Sequence, residues 1–340
     1  MPKKSDRATL KTVAADAGVS VAAVSKVVRD ANGVSKELRA RVIESIGKLG
    51  YRPHTAARGM RGQTYTLGVL LGDIRNPFYP EILDGVQAAL DRTKYHPLLG
   101  IGRATEPVEV AMVEAMQDRQ MDGVILIAPR MPPATIEAMA AKIPTVVIGH
   151  HQPDAKAFDT VNDNDRLGAQ LVVNHLVGRG HRRITFVGTE VAGIGEGGVM
   201  TARASGYRAA MQLHSLTENI DTRVFPSHLE QCRSAVSEML AAPDRPSAVF
   251  CSSDTLALEV MSCAADLGIN VPRDLALVGY DNISYCDYSY VSLSSVDQSG
   301  EVLGLQAARL LIERIKGRTE AEHFVVPPRL VARRSSAPTV

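Results

Sequence analysis

From Leu67 onward the chain repeats one pattern, a short apolar run followed by an amphipathic stretch, and that alternation leaves few folds open. TLGVLLG, HPLLGIG, DGVILIA and PTVVIG read as buried parallel strands, with helices between them near residues 80–93, 107–119 and 133–141. A second series follows. RITFVG, a strand near residues 220–225, SAVFCSS and LALVGY alternate with helices near 165–178, 201–214, 229–241 and 253–266. Near Ser292 the chain is expected to cross back through SLSSV, run a long helix over residues 300–316 and finish in strands around FVV and LVARRSS. Such alternation builds an α/β, doubly wound sheet, and two series make two lobes with a ligand cleft at the carboxyl ends of their strands.

Ahead of this body stands TLKTVAADAGVSVAAVSKVVR, residues 9–29. Leu10, Val13, Ala14 and Ala17 share one face of a short helix, with Thr9 placed to cap it. Gly18 breaks the chain. Ser20 then caps a second helix whose Val21, Val24, Val27 and Val28 fall on one side, leaving Ala22, Lys26 and Arg29 on the other. Two short helices joined by a glycine turn form a helix-turn-helix, unless they are an ordinary αα-hairpin. In the first case the small, basic outer face enters a DNA major groove, where Lys26 meets a guanine edge or a phosphate. Ser35 caps a third helix carrying Leu38, Val42, Ile46 and Leu49, which closes a headpiece of about 50 residues at Gly50 and Tyr51.

Charge is distributed in the same sense. Residues 1–62 hold 13 Lys and Arg against 5 Asp and Glu, a net of +8, whereas the remainder nets −7 within a chain of formal charge +1. A basic end on an acidic body suits a polyanion contact confined to that end. Cys232, Cys251, Cys263 and Cys286 lack CxxC spacing and do not alternate with histidines, so reduced thiols in a reducing cytoplasm are expected rather than zinc or disulfides. No apolar run approaches the roughly 18 residues that span a bilayer, and MPKKSDRATLKT has no apolar stretch behind its charged start, so neither a membrane anchor nor a secretory signal is expected.

AADAGVSVAAVSKVVRD closely resembles the DNA-binding headpiece of the LacI/GalR transcriptional regulators, with Ala23 where Thr is common and Lys26 where Arg is common. The resemblance covers residues 9–335, and the body resembles the periplasmic-binding-protein fold. It implies DNA contacts from Thr9, Ser20, Val21, Ala22, Ser25, Lys26, Arg29, Tyr51, His54, Ala57 and Met60. Residues 53–64, PHTAARGMRGQT, read by themselves as a flexible linker, since so short and glycine-rich a segment nucleates poorly. In the family the segment becomes a hinge helix on operator DNA, with Met60 where the wedge into a central minor-groove base step is usually Leu. The expected organisation is a headpiece over 1–52, a hinge over 53–64 and an effector-binding, dimerising body over 65–340. Within that body one lobe takes about 65–163 and 297–325, the other about 164–296 and 326–340.

Candidate ligand residues gather at strand ends. In GDIRNPFYPEI, Asn76 beside Phe78 and Tyr79 suits a sugar or flat heterocycle, or else is an Asn-Pro turn with core aromatics. NPFY resembles the ligand-binding strand end of ribose-type binding proteins. Asp163, Arg203, Asp281 and Gln298 each resemble a family ligand contact, and Ser253 stands where Asn is frequent. Gly193, Gly195 and Gly198 match the GxGxxG spacing, but Gly188 ends the preceding strand too early for a dinucleotide fingerprint, and the segment reads as a mobile loop on the cleft wall. His150 and His151 follow PTVVIG at a strand end and either line the cleft or are solvated residues at a loop start, the commoner case. No nucleophile with a base emerges, so the expectation is no enzyme, no cofactor and no metal. The expected molecule is a cytoplasmic homodimeric regulator, a repressor, with pairing into tetramers left open, that binds palindromic operator double-stranded DNA and a polar small-molecule effector: a sugar, a sugar acid or a purine-like molecule. The alternative is a solute-binding transport component with a fortuitous basic N-terminus.

Overall fold

The computed structural model describes residues 8–28, 32–51, 63–189 and 198–337, and the chain divides into two compact units, Met1–Thr64 and Tyr65–Val340. In the first unit α1 (Leu10–Ala17), α2 (Val21–Val28) and α3 (Lys36–Leu49) are each started by a hydroxyl cap. Thr12 N donates to Thr9 Oγ1 at 3.2 Å and Thr9 N to Thr12 Oγ1 at 2.8 Å, which satisfies two otherwise orphaned donors. Ser20 and Ser35 accept from Ala23 N at 3.1 Å and Leu38 N at 3.2 Å. Gly18 stops α1 at φ 64°, a left-handed conformation that a Cβ would strain, and so turns the chain into α2. Val13, Ala14, Ala17, Val24, Val27 and Val42 form the core, and the buried Ser45 hydroxyl donates to Val13 O at 3.3 Å, fastening α3 to α1. Val21, expected on the inward stripe, is instead 42% exposed, because the first residue of α2 lies beyond the reach of α3's packing face.

The second unit holds two six-stranded sheets. The first runs β11-β5-β4-β3-β1-β2, from β1 (Thr66–Leu71), β2 (His96–Ile101), β3 (Gly123–Ile127), β4 (Thr145–Ile148), β5 (Asp159–Asp163) and β11 (His323–Val326), all parallel. The second runs β12-β10-β9-β8-β6-β7, from β6 (Ile184–Thr189), β7 (Asp221–Phe225), β8 (Ala248–Cys251), β9 (Ala276–Asp281), β10 (Ser294–Asp297) and β12 (Arg329–Val331), with only β12 antiparallel. The helices used below are α4 (Tyr79–Leu90), α5 (Glu106–Asp118), α7 (Asp165–Gly178), α8 (Val199–Leu213), α10 (Asp254–Asp266) and α11 (Gly300–Ile315), α6 (Pro133–Ala140) and α9 (Leu229–Ala241) completing the order. Among the described residues no helix is long and apolar enough to cross a membrane.

Three readings of the sequence change. SLSSV does not carry the chain back: Ser294–Asp297 pairs with β9 and β12 in the second sheet, and the crossing follows Asp297. HPLLGIG is not a buried strand. As the edge of its sheet β2 leaves Leu98, Leu99 and Ile101 between 38% and 55% exposed. β5 was hidden because DTVND is polar, although every one of its residues is buried.

α4 and α11 meet almost backbone to backbone. A Cβ on Gly304 would overlap the Ile82 carbonyl and come within 2.8 Å of Val86 N, and one on Gly85 would overlap the backbone of Glu301. No flexible side chain is there to yield. Gly304→Ala should therefore destabilise the body by about 1–3 kcal/mol through overpacking, read as a lower urea midpoint at unchanged slope; a wild-type midpoint would mean that the helices separate freely.

Candidate functional site

On the headpiece, Val21, Ala22 and Lys26 are exposed on α2, with Ser25 half-buried between them. Thr9 and Ser20 are exposed but their hydroxyls are spent as caps, and Tyr51 packs half-buried against the headpiece core. Capping gives Thr9 and Ser20 a structural role whatever else they touch. Arg29, His54, Ala57 and Met60 lie outside the described residues, as do Gly193 and Gly195.

In the body the decisive residues stand where the sheets hand the chain over. β5 ends in Asp163 and α7 begins at Asp165, so one crossing carries two carboxylates two residues apart. Arg203 on α8 lies between them and the second sheet. Its Nε donates to Asp165 Oδ1 at 2.6 Å, its Nη1 donates to the Ser252 carbonyl at 2.5 Å and lies 3.6 Å from Asp281 Oδ1. Its guanidinium carbon sits 3.6 Å from the centre of the Tyr280 ring, a cation–π stack. Tyr280 Oη in turn donates to Asp163 Oδ2 at 2.6 Å, and Gln298 Nε2 donates to Asp281 Oδ1 at 2.6 Å. Asp163, Asp165, Arg203, Tyr280, Asp281 and Gln298 are all at most 5% exposed. The predicted residues Asp163, Arg203, Asp281 and Gln298 are thus brought into one group, linked by hydrogen bonds, a 3.6 Å ion pair and the cation–π stack.

Burial in this group divides the carboxylates. Burial first, and Asp165 second, push Asp163 up to about 7. Asp281 is likewise driven well above the ordinary carboxylate range by burial, against the pull of Arg203. Burial works against the charge of Asp165 too, but Arg203 and His151 outweigh it and hold that carboxyl below its usual value. Asp165 is therefore the counter-ion of Arg203, while burial disfavours the charged form of Asp163 and of Asp281. Asp281 also adopts φ 109° and Asn282 φ 54°, backbone conformations that side chains seldom take and that fix where the carboxylate ends up.

The remaining predicted positions divide. Tyr79 is buried at 8% exposure with its hydroxyl near Asn76, and burial pushes it up to about 12 against the pull of Arg130. Asn76 Oδ1 accepts from Phe78 N at 3.0 Å, and Phe78 is 5% exposed within the first lobe's core, so the turn-and-core reading accounts for these two. Ser253 caps α10, accepting from Leu256 N at 3.4 Å and sharing a 3.0 Å hydrogen bond with Thr255. The histidines are not simply solvated. His150 is 1% exposed, neither ring nitrogen has a partner among the described residues, and burial lowers its pKa. His151 Nε2 lies 2.6 Å from Asp165 Oδ2. The Asn162 amide brackets the His150 backbone, accepting from His150 N at 2.8 Å and donating to His150 O at 3.1 Å.

Residues that the sequence reading passed over hold the site in place. Tyr280 reaches Asp163 only because Gly168 has no side chain; a Cβ there would overlap the phenol oxygen. Asp254, fully buried, accepts from Ser295 Oγ at 2.6 Å, Ile283 N at 2.9 Å and Cys286 Sγ at 3.2 Å, and so fixes the turn after Asp281. Burial raises it to about 6. The available signal was spacing: Asp165 repeats Asp163 in VNDND, and Asp254 follows Ser253 directly.

A helix-turn-helix unit and a two-sheet unit with a buried polar cluster define a ligand-responsive DNA-binding regulator. The profile described as bacterial regulatory proteins, lacI family, matches residues 9–54, and that of the periplasmic binding protein-like domain matches 173–336. The HTH-type transcriptional repressor PurR of Pectobacterium carotovorum subsp. carotovorum (strain PC1) is 30% identical over 335 residues, covering 97% of each chain. A transcriptional regulator CelR–cellobiose complex is 28% identical, covers 97% of this chain and 100% of its own, and superposes with a TM-score of 0.70. The lac repressor dimer bound to operator and the anti-inducer ONPF shares the fold, with a TM-score of 0.83 at 21% identity over 98% of this chain and all of that one. The chain belongs to the LacI family. It is a DNA-binding transcriptional repressor with a periplasmic-binding-protein-like effector domain.

Proposed function

We propose that this repressor acts in the cytoplasm as a homodimer on a palindromic operator and is controlled by a small polar effector bound between the lobes of residues 65–340. The observation that carries the reading is the Asp163–Tyr280–Arg203–Asp165 cluster, since it ties a strand end of the first sheet to one of the second with polar groups suited to hydroxyls. In this reading Asp163, Arg203, Asp281 and Gln298 contact the effector, with Tyr79 on the opposite wall. The CelR relative's cellobiose is a ligand of the same polar kind. Residues 1–52 form the headpiece and 53–64 the hinge.

Dimerisation is supported by apolar surface that none of the described residues covers. Leu98 and Leu99 on the β2 edge are about half exposed, and Tyr285, Tyr288 and Tyr290 are 43%, 60% and 97% exposed on the second lobe. Leaving such surface in water is unfavourable, and a two-fold pairing would bury it and match a two-fold operator. Effector binding shifts the lobes, and a coupling of about 1–3 kcal/mol changes operator affinity about 5- to 150-fold.

The test is a binding-site selection from random duplexes, followed by titration of the selected DNA with and without candidate metabolites. A palindrome whose affinity responds to one metabolite is expected; no preference over bulk DNA would overturn the reading. Lys26, exposed on α2 beside Ala22, supplies a sharper version. Lys26→Ala should weaken the selected operator by about 1–3 kcal/mol and leave effector binding as it was, which a gel-shift titration beside calorimetry resolves.

A further inference from the structure

The strand orders locate the crevice more narrowly than the lobes do. In the first sheet the order reverses between β1 and β3, and ligands of doubly wound sheets settle at that switch, between the loops that follow the two strands. The loop after β1 supplies Asn76 and Tyr79. The loop after β3 supplies Arg130, half-buried, whose guanidinium makes no hydrogen bond or ion pair among the described residues. Nearby Asp73 is already committed to Arg75, with Nε and Nη2 of that arginine at 2.7 to 3.1 Å from its two oxygens.

This loop is held in place. Glu109, 0% exposed on α5, accepts Arg130 N at 2.6 Å and Met131 N at 3.1 Å on Oε2, while its Oε1 has no partner. Ala128, just before it, sits at φ 47°, and the Ala128 amide is tied to Ile148 O at 2.8 Å. Burying a carboxylate for two backbone amides is an expensive way to fix a loop that bears only an exposed surface cation. It is understandable if the position of Arg130 matters. Arg203 is differently placed, because Asp165, Ser252 O, Asp281 and the Tyr280 ring already occupy it.

We infer that the effector is a polyhydroxylated molecule carrying an acid group, and that Arg130, positioned by Glu109, reads that group after β3 while Asp163, at the end of β5, and Asp281, on the second lobe, take hydroxyls. The inference rests on the effector reading above and adds its charge. A guanidinium fork fits a carboxylate or a phosphate equally, so a sugar acid and a sugar phosphate share the required chemistry. The cation of that cluster, Arg203, is already paired with Asp165 and close to Asp281, which leaves the acid group of such a ligand to Arg130.

The full-length protein should be titrated calorimetrically with matched sets: D-glucose, D-gluconate and D-glucose 6-phosphate, then D-ribose, D-ribonate and D-ribose 5-phosphate. Within the set that binds, a charged member is expected to bind at least tenfold tighter than its neutral parent, and the stronger of carboxylate and phosphate identifies the source of the acid. Arg130→Gln should erase that preference and Arg130→Lys keep part of it, with both ligand-free proteins melting as the wild type does. A neutral sugar that binds as tightly as its acids, or an Arg130→Gln protein that retains the preference, overturns the inference and leaves the effector reading standing. Silence from every member of both sets, neutral and charged, counts against both.

Discussion

Arg203→Leu should cost about 3–5 kcal/mol of stability and abolish any effect of the effector on operator binding. Asp165 is 1% exposed and held ionised chiefly by this guanidinium, so removing the partner leaves a buried charge uncompensated, the most damaging way to break an ion pair. Because a loss of that size threatens folding itself, Arg203→Lys is the companion. It keeps the charge beside Asp165 but not the fork that reaches Ser252 O or the plane that stacks on Tyr280. This variant should fold, dimerise and still lose the response. A normal response from a folded Arg203→Lys protein would remove Arg203 from the effector's contacts.

The second large effect lies away from the crevice. Asp159, fully buried at the start of β5, receives Arg314 on both oxygens at 2.9 Å, Arg318 at 2.7 and 3.1 Å, and Glu322 N at 2.8 Å. Burial opposes its charge, but Arg318 and Arg314 prevail and lower its pKa. Asp159→Ala would leave Arg314, 9% exposed, without its carboxylate and Arg318 with only Glu313, Glu322 and backbone carbonyls, and should cost about 3–5 kcal/mol in chemical denaturation. The pH dependence has a definite sign. A carboxyl lowered by folding stabilises above its unfolded pKa and loses that contribution as pH falls through the folded value. Wild-type stability should therefore decline on acidification below the ordinary carboxylate range, and the Asp159→Ala protein should decline less steeply there.

Much of this architecture was legible because apolar runs leave an unambiguous mark. GVILI and TVVI are flanked by sheet and helix on both faces, so every residue is apolar or small, and their strands were plain. The same rule misled at HPLLGI, whose composition resembles theirs but whose place at a sheet edge is decided by topology, not by its own residues. DTVND failed in the opposite direction. Its polar residues are buried because Arg314, Arg318, His150 and Tyr280 come to meet them from far along the chain. Asp163, Arg203, Asp281 and Gln298 could be selected by their matches at strand ends, yet Tyr280, Asp165 and Gly168 could not. Their roles exist only once two sheets are side by side, and a tyrosine inside LALVGY looks like any core aromatic until its hydroxyl finds Asp163.

The bond between Tyr280 and Asp163 joins β9 of the second sheet to the end of β5 of the first, and His151 reaches from the first lobe to Asp165 at the head of α7. The two halves of the body are thus already laced together by groups that, in the reading proposed above, the effector also engages. Entry is an exchange of partners and not the filling of an idle slot, so affinity is discounted by whatever the lacing is worth. Selection could then tune the sensitivity of the switch at Tyr280 or His151, without altering any atom that distinguishes one metabolite from another.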